Sequence, residues 1–120
     1  MGSPACIRFW EDTKDEHPLS LYLHYGANSF AATLADALVL SKHRWDDPKH
    51  ATRIAIHSIV EDMYIDAEDN GAGLYVGTAD HGGPVLNVNW GSKTVWTDRW
   101  RLSFQQYMNN NDEVWEEVQA

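Results

Sequence analysis

Tyr22, His24 and Tyr25 bring aromatic rings and polar tips to the residues just ahead of Gly26, and Asn28 and Ser29 follow at once. A strand that ends at a glycine and feeds a helix sets such side chains beside the helix's positive end. There the first backbone N–H groups lack partners and the macrodipole favours an anion. The chemistry on offer is non-covalent. The Asn28 and Ser29 amides would hold a phosphate while Tyr22, His24 or Tyr25 stack on a base or hydrogen-bond to it. The plainer reading has Asn28 or Ser29 capping the helix while the aromatics pack. Lys42-His43-Arg44-Trp45, then His50 and Arg53, again combine cations with aromatic faces, which is what a phosphorylated heterocycle needs. Arg99 and Arg101 flank Trp100, a pattern that presents cations on one face of a strand and the indole on the other, or ordinary surface arginines.

His50, Arg53, His57 and Glu61 are spaced three, four and four apart, so on a helix they share one face. His50 and His57 would lie about 10 Å apart along the axis, too far to ligate one ion at about 2 Å. His57 and Glu61 alone could ligate. Otherwise the stripe faces phosphate through Arg53 and His57, or faces water. No metal and no cofactor are expected. His81-Gly82-Gly83 fits a catalytic loop or, more simply, a turn. No Walker loop, zinc ribbon, nucleophile elbow or dinucleotide fingerprint is present.

The elements that must position these residues follow from periodicity. Ile7–Glu11 reads as a strand. Leu19–Tyr25 reads as a second, with Leu19, Leu21 and Leu23 alternating against Ser20, Tyr22 and His24. Phe30, Leu34 and Leu38, with Ala31 and Ala35 alongside, give a helix that fades near Lys42-His43. Asp47-Pro48 starts a second helix with Asp47 as cap, its buried face Ala51, Ile54, Ala55, Ser58 and Ile59. Asp66–Gly71 is a polar turn. Leu74–Thr78 and Val85–Trp90 are strands, Gly91-Ser92 a two-residue hairpin turn and Lys93–Trp100 the last strand. Ser103 and Gln106 form a capping-box pattern for a short helix ending at Asn109. The order ββααβββα predicts an α+β fold: an antiparallel sheet of about five strands with two main helices on one face.

The 120 residues fit one domain, 1–110, followed by an acidic tail, 111–120. The lone cysteine, Cys6, forms no intrachain disulfide and reads as a small buried side chain. With no long apolar run, the expected setting is the cytoplasm, with no membrane contact. The net charge is −9, and thirteen of the eighteen acids fall in Glu11–Glu16, Glu61–Asp69 and Asp112–Glu117. Such a chain is a poor ligand for duplex DNA, while a small anion in a local basic pocket remains compatible. Six tryptophans place some indoles at a pocket or interface.

The strand end Leu21-Tyr22-Leu23-His24-Tyr25-Gly26, with Arg44-Trp45-Asp46-Asp47 and a later Leu-Tyr-Val strand, resembles a group of small phage and prophage proteins sharing a "Leu-Tyr-x-His-aromatic-Gly" strand end. The similarity spans most of residues 5–108. It departs at Tyr25, where tryptophan is expected, and at Ala27-Asn28, where glycine or an acid is expected. The resemblance implies a non-enzymatic, cytoplasmic, homo-oligomeric protein of an infected cell. Such a protein sequesters a small phosphorylated, cyclic nucleotide signal and so counters host antiviral defence. Its ligand-binding residues would be Tyr22, His24, Tyr25, Asn28, Ser29, Arg44, Trp45, Arg53, His57, Arg99 and Arg101. Two rivals stand beside it. The acidity suits a protein-interaction inhibitor or nucleic-acid mimic acting on a defence protein. His24, His57 or His81 would serve a small phosphodiesterase.

Overall fold

The computed structural model describes residues 4–12, 17–24, 29–65, 71–78 and 82–109. Among these, one sheet is built from β1 (Ala5–Trp10), β2 (Leu19–Leu23), β3 (Ala72–Val76), β4 (Val85–Asn89), β5 (Thr94–Trp96) and β6 (Arg101–Ser103). Helices α1 (Phe30–Leu40) and α2 (Pro48–Asp62) lie between β2 and β3 in the chain, joined through a 3-10 turn at Lys42–Arg44. Residues 104–109 are helical.

The α+β class holds, but the expected five-stranded antiparallel sheet does not. The order is β3-β2-β1-β4-β5-β6. β1 and β4 are parallel, with Ile7 beside Leu86, and the other neighbours are antiparallel. Alternation in a sequence reveals strands but not their partners. After α2, β3 takes the outer side of β2, so β4 fills the vacant side of β1 and runs in the same direction as it. The expected strand Lys93–Trp100 is cut short at Trp96, and the sixth strand, Arg101–Ser103, forms beyond it. Thr97 N–H donates to Trp100 O at 2.9 Å, and Thr97 Oγ1 accepts from the Arg99 amide at 3.2 Å. This local turn ends β5 and starts β6. Nor is Gly91-Ser92 a two-residue turn. Asn89 Oδ1 accepts from Ser92 N–H at 3.0 Å, and residues 90–93 form the turn with Lys93 at φ 55°.

Local signals in the helices fare better. α2 begins at Pro48 with Asp47 at the cap position, although the Asp47 carboxylate bonds His50 Nδ1 at 2.7 Å instead of a helix amide. Its buried face is Ala51, Thr52, Ala55, Ser58 and Ile59, with Thr52 in the place expected for Ile54. The capping box forms in both directions: Ser103 N–H donates to Gln106 Oε1 at 2.9 Å and Gln106 N–H to Ser103 Oγ at 3.1 Å.

One face of the sheet supplies Ile7, Phe9, Leu21, Leu23, Leu86, Val88 and Val95 to a core shared with Phe30, Leu34 and Leu38 of α1 and Ala51, Ala55 and Ile59 of α2. Both helices therefore pack on one face, as their apolar stripes require. Trp90 joins the layers. Its ring stacks on Phe9 at 6.1 Å and meets Phe104 edge-on at 5.5 Å, and its Nε1–H donates to Thr52 Oγ1 at 2.8 Å. Cys6 is buried and free, as its strand position implied. The acidic tail lies outside the described residues, as do the Asp66–Asn70 part of the polar turn and His81.

Candidate functional site

A cleft of about 590 Å³ lies between α2 and strands β1, β2 and β3. Its walls are Phe9, Leu19 and Leu74 from three adjacent strands and Ile56 from the helix. These side chains line a single cleft because strand alternation turns all three toward α2. Lys49, Arg53, Glu11 and His17 complete the lining. Thr52 also reaches it, with its hydroxyl already engaged by the Trp90 indole.

Among the described cations, two are held by carboxylates. Arg44 lies 3.9 Å from Asp47, and Lys93 lies 2.8 Å from Asp46. Lys49 and Arg53 have no such carboxylate partner among the described residues. They stand one helical turn apart on one face. Together they offer a pair of uncommitted cations above an apolar floor. Glu11 adds an acceptor and His17 an exposed ring.

The sequence-predicted residues fall in separate places. Tyr22 and His24 meet, with the hydroxyl 3.1 Å from Nδ1 and ring centroids 6.1 Å apart. Tyr22 alternates with the core-facing Leu21 and Leu23, so it points to the sheet face opposite the helices. Ser29 occupies the α1 cap position without a side-chain cap bond. Tyr25 and Asn28, the other half of that site, lie outside the described residues. Arg44 and Trp45 follow the far end of the eleven-residue α1, about 16 Å along the axis from Ser29. Trp45 is committed to structure: its Nε1–H donates to Leu38 O at 3.1 Å and its ring meets Phe104 at 4.8 Å. Arg99 sits in the 97–100 turn, and Arg101 lies over Trp96 at 5.0 Å, with Trp96 on the face away from the helices.

Arg53 and His57 do come together, along a smaller cavity of about 280 Å³ beside Leu40 and Ser58. That cavity also holds Glu61 and Asp62, and His57 Nε2 is 3.3 Å from Glu61. Its acids offset its cations, so it suits an anion less well than the larger cleft. Of the predicted ligand residues that are described, Arg53 alone lines the larger cleft. Lys49 was missed, although its i,i+4 spacing to Arg53 was a visible signal. His24 and His57, two of the three histidines offered for a phosphodiesterase, belong to different layers of the fold.

Burial raises the pKa of Tyr75 above 10.0, and the hydrogen bond between its hydroxyl and Cys6 Sγ at 3.4 Å adds to the shift. Burial alone raises that of Tyr107 well beyond the usual phenol range. No helix among the described residues is long and apolar enough to cross a membrane. Comparison with protein-family models, curated proteins and solved structures finds no match to this chain.

Proposed function

We propose that this protein binds a small phosphorylated nucleotide in the cleft between α2 and strands β1–β3, without chemical conversion. One observation carries the reading: Lys49 and Arg53, unpaired with any acid among the described residues, adjoin an apolar space of about 590 Å³. That volume is in the range of small-ligand sites. A phosphate satisfies the two cations through charge-assisted hydrogen bonds. A flat base fits the space between Ile56 and the strand side chains, and Glu11 accepts from an exocyclic amino group. The resemblance of the Leu21–Gly26 strand end to phage proteins extends the proposal to sequestration of a host defence signal. That role requires affinity and stoichiometry, not a nucleophile.

The test is a thermal-shift and calorimetric screen with mononucleotides, cyclic di- and trinucleotides and ADP-ribose derivatives. A saturating ligand raises the melting temperature in proportion to the logarithm of its concentration. Lys49→Ala and Arg53→Ala each weaken binding by roughly tenfold or more, the effect of losing a charged hydrogen bond. Arg44→Ala leaves it unchanged. A retained ligand recovered intact after heat denaturation marks sequestration, and a converted one marks an enzyme. A panel with no effect on melting overturns the nucleotide reading.

A further inference from the structure

β3 is the outermost strand of the sheet, and among the described residues nothing pairs with its outer side. Its sequence, Ala72-Gly73-Leu74-Tyr75-Val76, holds no charge and no proline. Two of the devices that keep strand edges apart, charged side chains and proline, are therefore absent from this strand. Leu74 and Val76 are 57% and 72% exposed on it. The parity of its backbone follows from its inner side. His24 N–H donates to Gly71 O at 2.8 Å, and Gly77 N–H donates to Pro18 O at 2.9 Å. Residues 71, 73, 75 and 77 thus turn their peptide groups toward β2, and Ala72, Leu74 and Val76 turn theirs outward.

We infer that β3 is the interface of a symmetric dimer, paired antiparallel with β3 of a second copy about a twofold axis at Leu74. The strand is complementary to its own reverse. In that register Leu74 faces Leu74, Ala72 faces Val76 and Gly73 faces Tyr75, so small opposes large on either side of the centre. The Tyr75 hydroxyl lies 3.4 Å from Cys6 Sγ on β1, so its ring turns inward across β2 and leaves the outer edge clear for a second strand. The outward peptide groups of Ala72, Leu74 and Val76 fall into hydrogen-bonded positions with their counterparts, since a twofold axis at an outward-facing residue preserves the parity. A strand from an unrelated protein would satisfy the same backbone, but the size pattern favours a second copy.

The test is the solution mass of the full chain, by sedimentation and light scattering over a wide concentration series. The wild type is expected at twice the chain mass. Leu74→Lys sets like charges opposite each other at the axis. Val76→Pro removes an outward donor and leaves the β2 ladder intact. Both variants are expected at the chain mass with a wild-type circular dichroism spectrum, whereas Ala32→Lys, at an exposed α1 position, stays dimeric. A wild type at the chain mass throughout the series, or a dimer that survives either folded variant, overturns the assignment.

Discussion

Tyr107 shows how far a single buried polar atom is committed. Its ring is fully buried and its hydroxyl donates to Ala31 O at 2.6 Å, tying the 104–109 segment to the first turn of α1. Because burial raises its pKa far above 10.0, the folded chain holds the phenol proton where the unfolded chain releases it. The associated stability is complete below about pH 10 and is lost as pH climbs toward the folded value. Urea midpoints should fall steeply above pH 10, and Tyr107→Phe should flatten that fall. At neutral pH the same variant loses about 0.5–1.5 kcal/mol with the hydrogen bond. Thr52 tests the opposite case. Thr52→Val keeps the shape but leaves the Trp90 N–H unpaired in the core, at a cost of about 1–3 kcal/mol, while Thr52→Ser keeps an acceptor. Denaturant melts of the two variants separate hydroxyl from methyl.

At the scale of elements, interactions between near neighbours were legible and distant ones were not. The Ser103–Gln106 box and the Asp47-Pro48 start are encoded within three residues, so the sequence suffices to read them. Gln106→Ala should destabilise the 104–109 segment by about 0.5–1 kcal/mol, seen as faster amide exchange there. The parallel β1–β4 pair was not legible, because it joins Cys6 to Val85 and no local pattern specifies it. The cleft was hidden for the same reason: its walls range from Phe9 to Leu74 and meet only once α2 and three strands are in place. Tyr22 failed as a partner of Arg53 because period-two alternation sends it to the far face, a consequence visible in Leu19–Leu23 once the core side is known.

For the whole molecule, charge and shape act in opposite senses. Each copy carries −9, so two copies repel, yet the proposed contact strand is uncharged. Added salt screens the repulsion over about 10 Å at 0.1 M and leaves main-chain bonds in place. Dimerisation is therefore expected to strengthen with salt, and nucleotide binding through Lys49 and Arg53 to weaken. Parallel titrations of mass and affinity against salt should slope in opposite directions. Curves with the same slope would count against one of the two sites.

The strand order has a consequence for how the chain comes to exist. β3-β2-β1 and β4-β5-β6 are each contiguous stretches of sequence, and only the β1–β4 ladder joins them within the sheet. A nascent chain that has delivered three strands and both helices still shows the bare side of β1 to its surroundings. At 5–20 residues per second, the wait from β1 to β4 is roughly 4–15 s. During that interval the unfinished half can be captured by any strand that mimics β4. A break between β3 and β4 would yield two pieces that recognise each other through that ladder, a natural pair for reconstitution from fragments.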